Sequence, residues 1–216
     1  MLLAERAWDP ADARRLYAEG VAAGERGLGD AFFAEAAGHV WGHVKARPYM
    51  RARLGVAQAI EAMGDIGSAS GHYQELLRLD SEDHQGVRYL QLSLLLREGR
   101  DEGASALLAQ FGDEPTAIWR YGGALLAWRE GDRRKARSRL RAAIRVNRHV
   151  PAFLTGREDL PDVSISSYAV GSEEEAILCA SDLLDAWERT PGALDWLAAE
   201  TRSLKKSKRG KGRRHG

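Results

Sequence analysis

Apolar residues recur along the chain at helical spacing, and no alternating apolar–polar run is long enough to form a defensible strand. Asp9-Pro10-Ala-Asp12 starts the first helix: Asp9 caps, Pro10 takes the first helical position, and Asp12 suits the positive end of the helix dipole. Its apolar positions are Ala13, Leu16, Tyr17 and Val21, and the glycines between 24 and 29 predict its end. Asp30 opens a second predicted helix with Phe32, Phe33, Ala36, Val40 and Val44 on or near one face. Further helices are predicted from Pro48 to Met63, Ile66 to Leu79, His84 to Arg97, Asp101 to Gln110, Pro115 to Arg129 and Asp132 to Val146. Pro151, Gly156 and Pro161 mark 147–168 as a connector with at most a short helical turn. Ser172, followed by Glu173 to Glu175, then starts a capped helix to about Trp187, and Thr190-Pro191 starts a last one carrying Leu194, Trp196 and Leu197.

Three of the predicted turns share one pattern, a Gly followed five residues later by an Ala: Gly64 with Ala69, Gly99 with Ala104, and Gly131 with Ala136. The Gly-to-Gly steps of 35 and 32 residues bracket the 34-residue period of a tetratricopeptide helix–turn–helix unit. The Gly ends one helix in an open backbone conformation, and the Ala lies where two helices cross closely. Nine residues beyond each Gly stand Tyr73, Leu108 and Leu140, a large packing residue in each unit. The expected fold is therefore all-α: an α-α superhelix, a tetratricopeptide-like solenoid of antiparallel helix pairs. Its repeats fall at about 48–80, 83–112 and 115–147, and helices at 172–203 close the open end. One such domain is expected over 1–204, followed by a disordered basic tail over 205–216.

A resemblance to a known family rests on Val146-Asn-Arg-His-Val-Pro-Ala-Phe-Leu-Thr155, Leu160-Pro161, Tyr168, Gly171-Ser-Glu-Glu-Glu-Ala176, Ala186-Trp187 and Gly192-Ala-Leu-Asp-Trp196. With the stretch His39 to Arg51, these resemble the suppressor-of-tumorigenicity family of tetratricopeptide-like proteins, and within it the short bacterial members. The likeness covers roughly 33–197. Where the family usually has Asn-Pro, this chain has Asn147-Arg148. The resemblance implies an interaction role and names no catalytic residue.

Charge changes this picture at two places. Between Lys205 and Arg214 stand seven basic residues and no acidic one. Setting those seven aside from 32 Lys and Arg leaves 25 against 31 Asp and Glu, a balance of −6 for the body. Lys205, Lys206, Lys208, Arg209, Lys211, Arg213 and Arg214 are thus candidate phosphate contacts, equally readable as a solubilising terminus. Nine more basic residues lie between Arg129 and Arg148. They form either a stripe for nucleic-acid phosphates or, the favoured reading, a helix face neutralised by the acidic closing helices, since 157–200 carries eleven Asp and Glu.

Chemistry of other kinds finds little support. His39 and His43 have metal-pair spacing, but Val40 stands where a zinc peptidase needs Glu, and no further ligands lie nearby. Cys179, mid-helix among carboxylates, reads as a buried structural thiol. No enzyme activity, metal or cofactor is expected. The apolar run near Leu90 to Leu96 is broken by Gln91 and Ser93, so no membrane span is expected. Glu5 and Arg6 argue against a secretion signal, and the single Cys suits a reducing compartment, which points to the cytoplasm.

The expected function is a non-enzymatic adaptor or scaffold that binds a protein or peptide segment in its concave face. The alternative is nucleic-acid association through the tail and the 129–148 helix. Repeat register assigns the inner face to Arg51, Gln58, Tyr89, Arg97, Tyr121, Trp128 and Arg129, with Leu54, Glu61, Ser93 and Leu125 beside them. Aromatic and Arg side chains are common interface anchors, and the arginines suit acidic groups on a peptide. The Lys and Asn arrangement of carboxylate clamps for chaperone tails is absent.

Overall fold

A computed structural model describes residues 4–7, 9–112, 114–162 and 165–212, with the backbone alone at 5 and 205–212. Among the described residues the secondary structure is helical and contains no strand; a lone antiparallel bridge joins His39 and Asp80. The α-helices are α1 (Pro10–Leu28), α2 (Asp30–Glu35), α3 (Arg47–Ala62), α4 (Ile66–Leu79), α5 (Val87–Arg97), α6 (Asp101–Phe111), α7 (Ala117–Arg129), α8 (Arg133–Val146), α9 (Val150–Leu154), α10 (Glu173–Glu188) and α11 (Ala193–Gly212). The chain divides into two compact units, Met1–Leu94 and Leu95–Gly216.

Gly64, Gly99 and Gly131 have φ of 84°, 65° and 80° and stand between α3 and α4, α5 and α6, and α7 and α8. A side chain in this left-handed region would be strained, so each glycine lets one helix stop and the next reverse. At the first turn Asp65 N donates to Ile60 O and Gly64 N to Glu61 O; Arg100 and Gly99 repeat the pair on Leu95 and Leu96. Asp65 and Asp132 then cap α4 and α8 by accepting from Ser68 N and Lys135 N. The alanines five residues on, Ala69, Ala104 and Ala136, are all fully buried.

In the first unit α1 lies along α3. The break predicted from Gly24 onward does not occur there. The helix runs on through Gly20, Gly24 and Gly27 and ends at Gly29, where φ is 79°. Close packing explains the difference: a Cβ on Gly20 would stand 3.2 Å from Ala52 Cβ, and one on Gly24 would stand 2.8 Å from Tyr49 Cβ. Gly55 on α3 makes the matching space for the Tyr17 ring. Contact along both helices outweighs the propensity cost of about 1 kcal/mol per interior glycine.

The helix predicted to reach Val44 is also cut short, at Glu35. Gly38 turns left-handed, and its carbonyl accepts from Ser81 N at 2.9 Å and Ser81 Oγ at 3.1 Å. Two single 3-10 turns, Val40–Gly42 and Val44–Ala46, complete the approach to α3. The next helix begins at Val87 rather than His84. Asp83 adopts φ 54°, and its carboxylate takes Val87 N at 2.7 Å and Arg88 N at 2.9 Å, which fixes the start.

The second unit is built around α7, buried on nearly every side and packed by α6, α8 and α10. A polar cluster locks it in place. Glu175, on the first turn of α10, accepts from Ala117 N at 2.8 Å, Asn147 Nδ2 at 3.0 Å and Gly171 N at 2.6 Å. Asn147 also donates to Ser172 O and accepts from His149 N, while its carbonyl receives the Tyr121 hydroxyl at 2.7 Å. The connector holds α9 as its one short helix among the described residues. The expected end of order near 204 is not where the last helix stops: its backbone is helical to Gly212, and 213–216 lie outside the described residues.

Candidate functional site

Three of the inner-face candidates belong to the first unit. Arg51 and Gln58 are exposed and sit seven residues apart on α3, two turns along one face; Tyr89 on α5 is half-buried. The Arg51 guanidinium lies 5.6 Å from the Trp41 ring centroid, and Arg47 lies 5.4 Å from it. Trp41 stacks on the His84 ring at 6.4 Å. Two cations, an indole and an imidazole thus form one surface cluster suited to aromatic and acidic groups. Trp41 was not among the inner-face candidates because it belongs to an irregular segment that lacks repeat register. Tyr89 is braced by Arg88, whose Nη2 donates to its hydroxyl at 3.1 Å and whose guanidinium covers the ring at 4.9 Å.

The other four belong to the second unit, where the closing helices cover the face of α7. Tyr121 is 0% exposed and spends its hydroxyl on Asn147 O; burial pushes its pKa well above the ordinary phenol value. It is a core residue and presents nothing to a partner, which corrects its place on the inner face. Leu125 is equally buried. Trp128 donates from Nε1 to Pro191 O at 3.2 Å and stacks on Trp196 at 4.5 Å. Trp196 stacks in turn on Trp187 at 6.1 Å, and the Arg133 guanidinium caps Trp128 at 3.5 Å.

Arg129 uses four of its donor positions within the chain. Nε reaches Thr190 Oγ1 at 2.8 Å, Nη1 reaches Leu96 O at 2.8 Å and Asp101 Oδ1 at 2.9 Å, and Nη2 reaches Ala186 O at 3.0 Å. Such a guanidinium is a structural staple with little left for a ligand. Of the four, Arg97 and Arg129 share a cleft of about 360 Å³ with Asp101, Arg189 and Pro191. Arg97 is half-buried with Nε 3.3 Å from Glu98, and the exposed Arg189 pairs with Asp185 at 2.8 Å. The cleft offers guanidinium edges to an incoming carboxylate, tempered by Glu98 and Asp101 in its lining.

The other candidates separate clearly. His39 and His43 lie on no shared helix, and His43 packs edge-on to Phe32 at 5.1 Å. No group of three metal-ligating side chains occurs among the described residues. Cys179 is buried, and burial, followed by Asp182 and Glu175, pushes its thiol pKa well up, the opposite of an activated nucleophile. On α8, Glu200 of α11 receives Arg137 and lies 3.6 Å from Arg141, while Lys135 pairs with Glu130 at 2.8 Å. The closing helix neutralises part of the basic face. Arg134, Arg145 and Arg148 are exposed, with no carboxylate partner among the described residues. In the tail, the side chains of Lys205, Lys206, Lys208, Arg209 and Lys211, and the whole of Arg213 and Arg214, lie outside the described residues.

No helix among the described residues is long and apolar enough to cross a membrane. No protein-family model, curated protein or solved structure matches this chain.

Proposed function

We propose that this chain is a non-enzymatic adaptor of tetratricopeptide-like build that works in the cytoplasm, holds a partner's peptide segment, and is akin to the suppressor-of-tumorigenicity family. The observation that carries the reading is the threefold helix–glycine–helix unit with a buried alanine five residues after each left-handed glycine. Units of this kind expose helix faces in register, and such faces recognise extended or helical peptides by side-chain anchors. The anchors are Arg51, with Trp41 against it, Gln58 and Tyr89 in the first unit, and Arg97 in the second unit. Trp128 and Arg129 hold the closing helices instead, and Tyr121 is spent on Asn147 O.

Acidic and aromatic side chains on the partner fit these groups, because a guanidinium over an indole gives both a fork for carboxylates and a flat face for rings. Affinity capture with the full chain tests the assignment. Arg51→Glu and Arg97→Glu are expected to remove bound partner, while Arg134→Glu, on the exposed face of α8, leaves it in place. Equal capture by all three variants and the unaltered chain would remove these residues from the function.

A further inference from the structure

A cavity of about 530 Å³ opens beside the end of α8, and none of the residues assigned to peptide binding is among those that line it. Arg141, Arg145, Arg148 and His149 line it, together with the apolar Ile144 and Leu204, and among the described residues its lining contains no acidic side chain. Arg145 and Arg148 have no carboxylate partner among the described residues, and Arg141 shares Glu200 with Arg137 at a loose 3.6 Å. Positive charge is therefore concentrated here without the neutralisation found farther up the same helix. The rear is rigid: Gly171, at φ 86°, approaches so closely that a Cβ would stand 3.1 Å from Val146 O, and its N–H is fixed by Glu175.

From this geometry we infer that the cavity binds a phosphorylated nucleoside, its phosphate on Arg145 and Arg148 and its base against Ile144, Leu204 and the flat faces of guanidinium and imidazole. Guanidinium forks match phosphate oxygens, and guanidinium planes stack on bases. The volume falls within the range of small-molecule sites, about 300–1,000 Å³. Arginines interrupt the apolar surface, so a long acyl chain finds no continuous slot. The same chemistry is offered by a free nucleotide and by the phosphorylated end of a nucleic-acid strand.

Isothermal titration of the full chain decides this with four probes: a nucleoside diphosphate, inorganic phosphate, and a short single-stranded oligonucleotide with and without a 5′-phosphate. The expected result is saturable binding of the diphosphate or the 5′-phosphorylated strand with Kd below about 1 mM, the weak end of metabolite affinities, and at least tenfold tighter than inorganic phosphate. The tighter of the two phosphorylated probes identifies the source. Arg145→Glu and Arg148→Glu should each weaken it tenfold or more, Arg145→Lys less, and Arg134→Glu not at all. Circular dichroism of each variant verifies that it is folded. Absence of binding by both phosphorylated probes, equal binding of inorganic phosphate, binding of both oligonucleotides alike and more tightly than the diphosphate, or affinity insensitive to Arg145→Glu would each overturn the assignment.

Discussion

Replacing Glu175 by Ala removes the acceptor on which two buried donors and the half-buried Gly171 N converge. Asn147 Nδ2 keeps its bond to Ser172 O, but Ala117 N and Gly171 N lose the partner they have in the folded chain. An orphaned buried amide costs about 1–3 kcal/mol. Ala117 N therefore contributes about 1–3 kcal/mol and the half-buried Gly171 N less, a sizeable part of the 5–15 kcal/mol typical of a folded domain. The assay is urea unfolding followed by tryptophan fluorescence, since Trp119, Trp128, Trp187 and Trp196 all lie in the same unit as Glu175. Hydrogen exchange locates the damage, which is expected in Leu95–Gly216 and should leave α1, α3 and α4 protected as before. Glu174→Ala, at an exposed position one residue earlier, serves as the control. A double-mutant cycle with Asn147→Ala should show coupling of about 0.5–3 kcal/mol, because both side chains belong to one network. A loss no greater than that of Glu174→Ala, or strict additivity with Asn147→Ala, refutes the role given to the cluster.

Further outcomes follow from the same geometry. Gly71→Ala on α4, with nothing within 4 Å of the added carbon, should raise stability by about 0.5–1 kcal/mol, whereas Gly24→Ala should lower it through its contact with Tyr49; thermal melts separate the two. Cys179 should stay unlabelled by a thiol reagent in the folded protein at pH 8 and react at once in denaturant. His72 has its pKa lowered from 6.5, first by burial and then by Arg53 and Arg14. The fold thus favours the neutral ring, so its contribution is complete above 6.5 and is lost as pH falls from there through the depressed value. His72→Gln should flatten that part of the stability–pH curve.

How much could be read in advance differs from one helix to another. The turn glycines and the alanines at 69, 104 and 136 were legible because a backbone need and a small-residue contact recur at fixed spacing. Gly24 was misleading for the same reason: glycine signals a stop, yet here it admits the Tyr49 side chain, as Gly20 admits Ala52, from a helix about thirty residues away. Tyr121, Trp128 and Arg129 stood in the right register for an inner face. What holds Trp128 and Arg129 comes from Ala186, Thr190, Pro191 and Trp196, about sixty residues later, while Tyr121 is spent on Asn147 O, and no local pattern carries those contacts. Glu175 read as one of three acidic residues suited to a helix start. The Ser172-x-x-Glu175 spacing was the available signal that it turns back toward the N-terminus, where it meets Gly171 N rather than water.

Photo-crosslinking tests the docking surface most directly. A photoreactive residue placed at Gln58 in the full chain should yield one discrete adduct with a partner protein, lost when Arg51→Glu is added and absent when the probe is moved to Arg134. Adducts that are identical from both positions, or that persist unchanged with Arg51→Glu, would contradict the assignment of the α3 face as the place where this protein holds another.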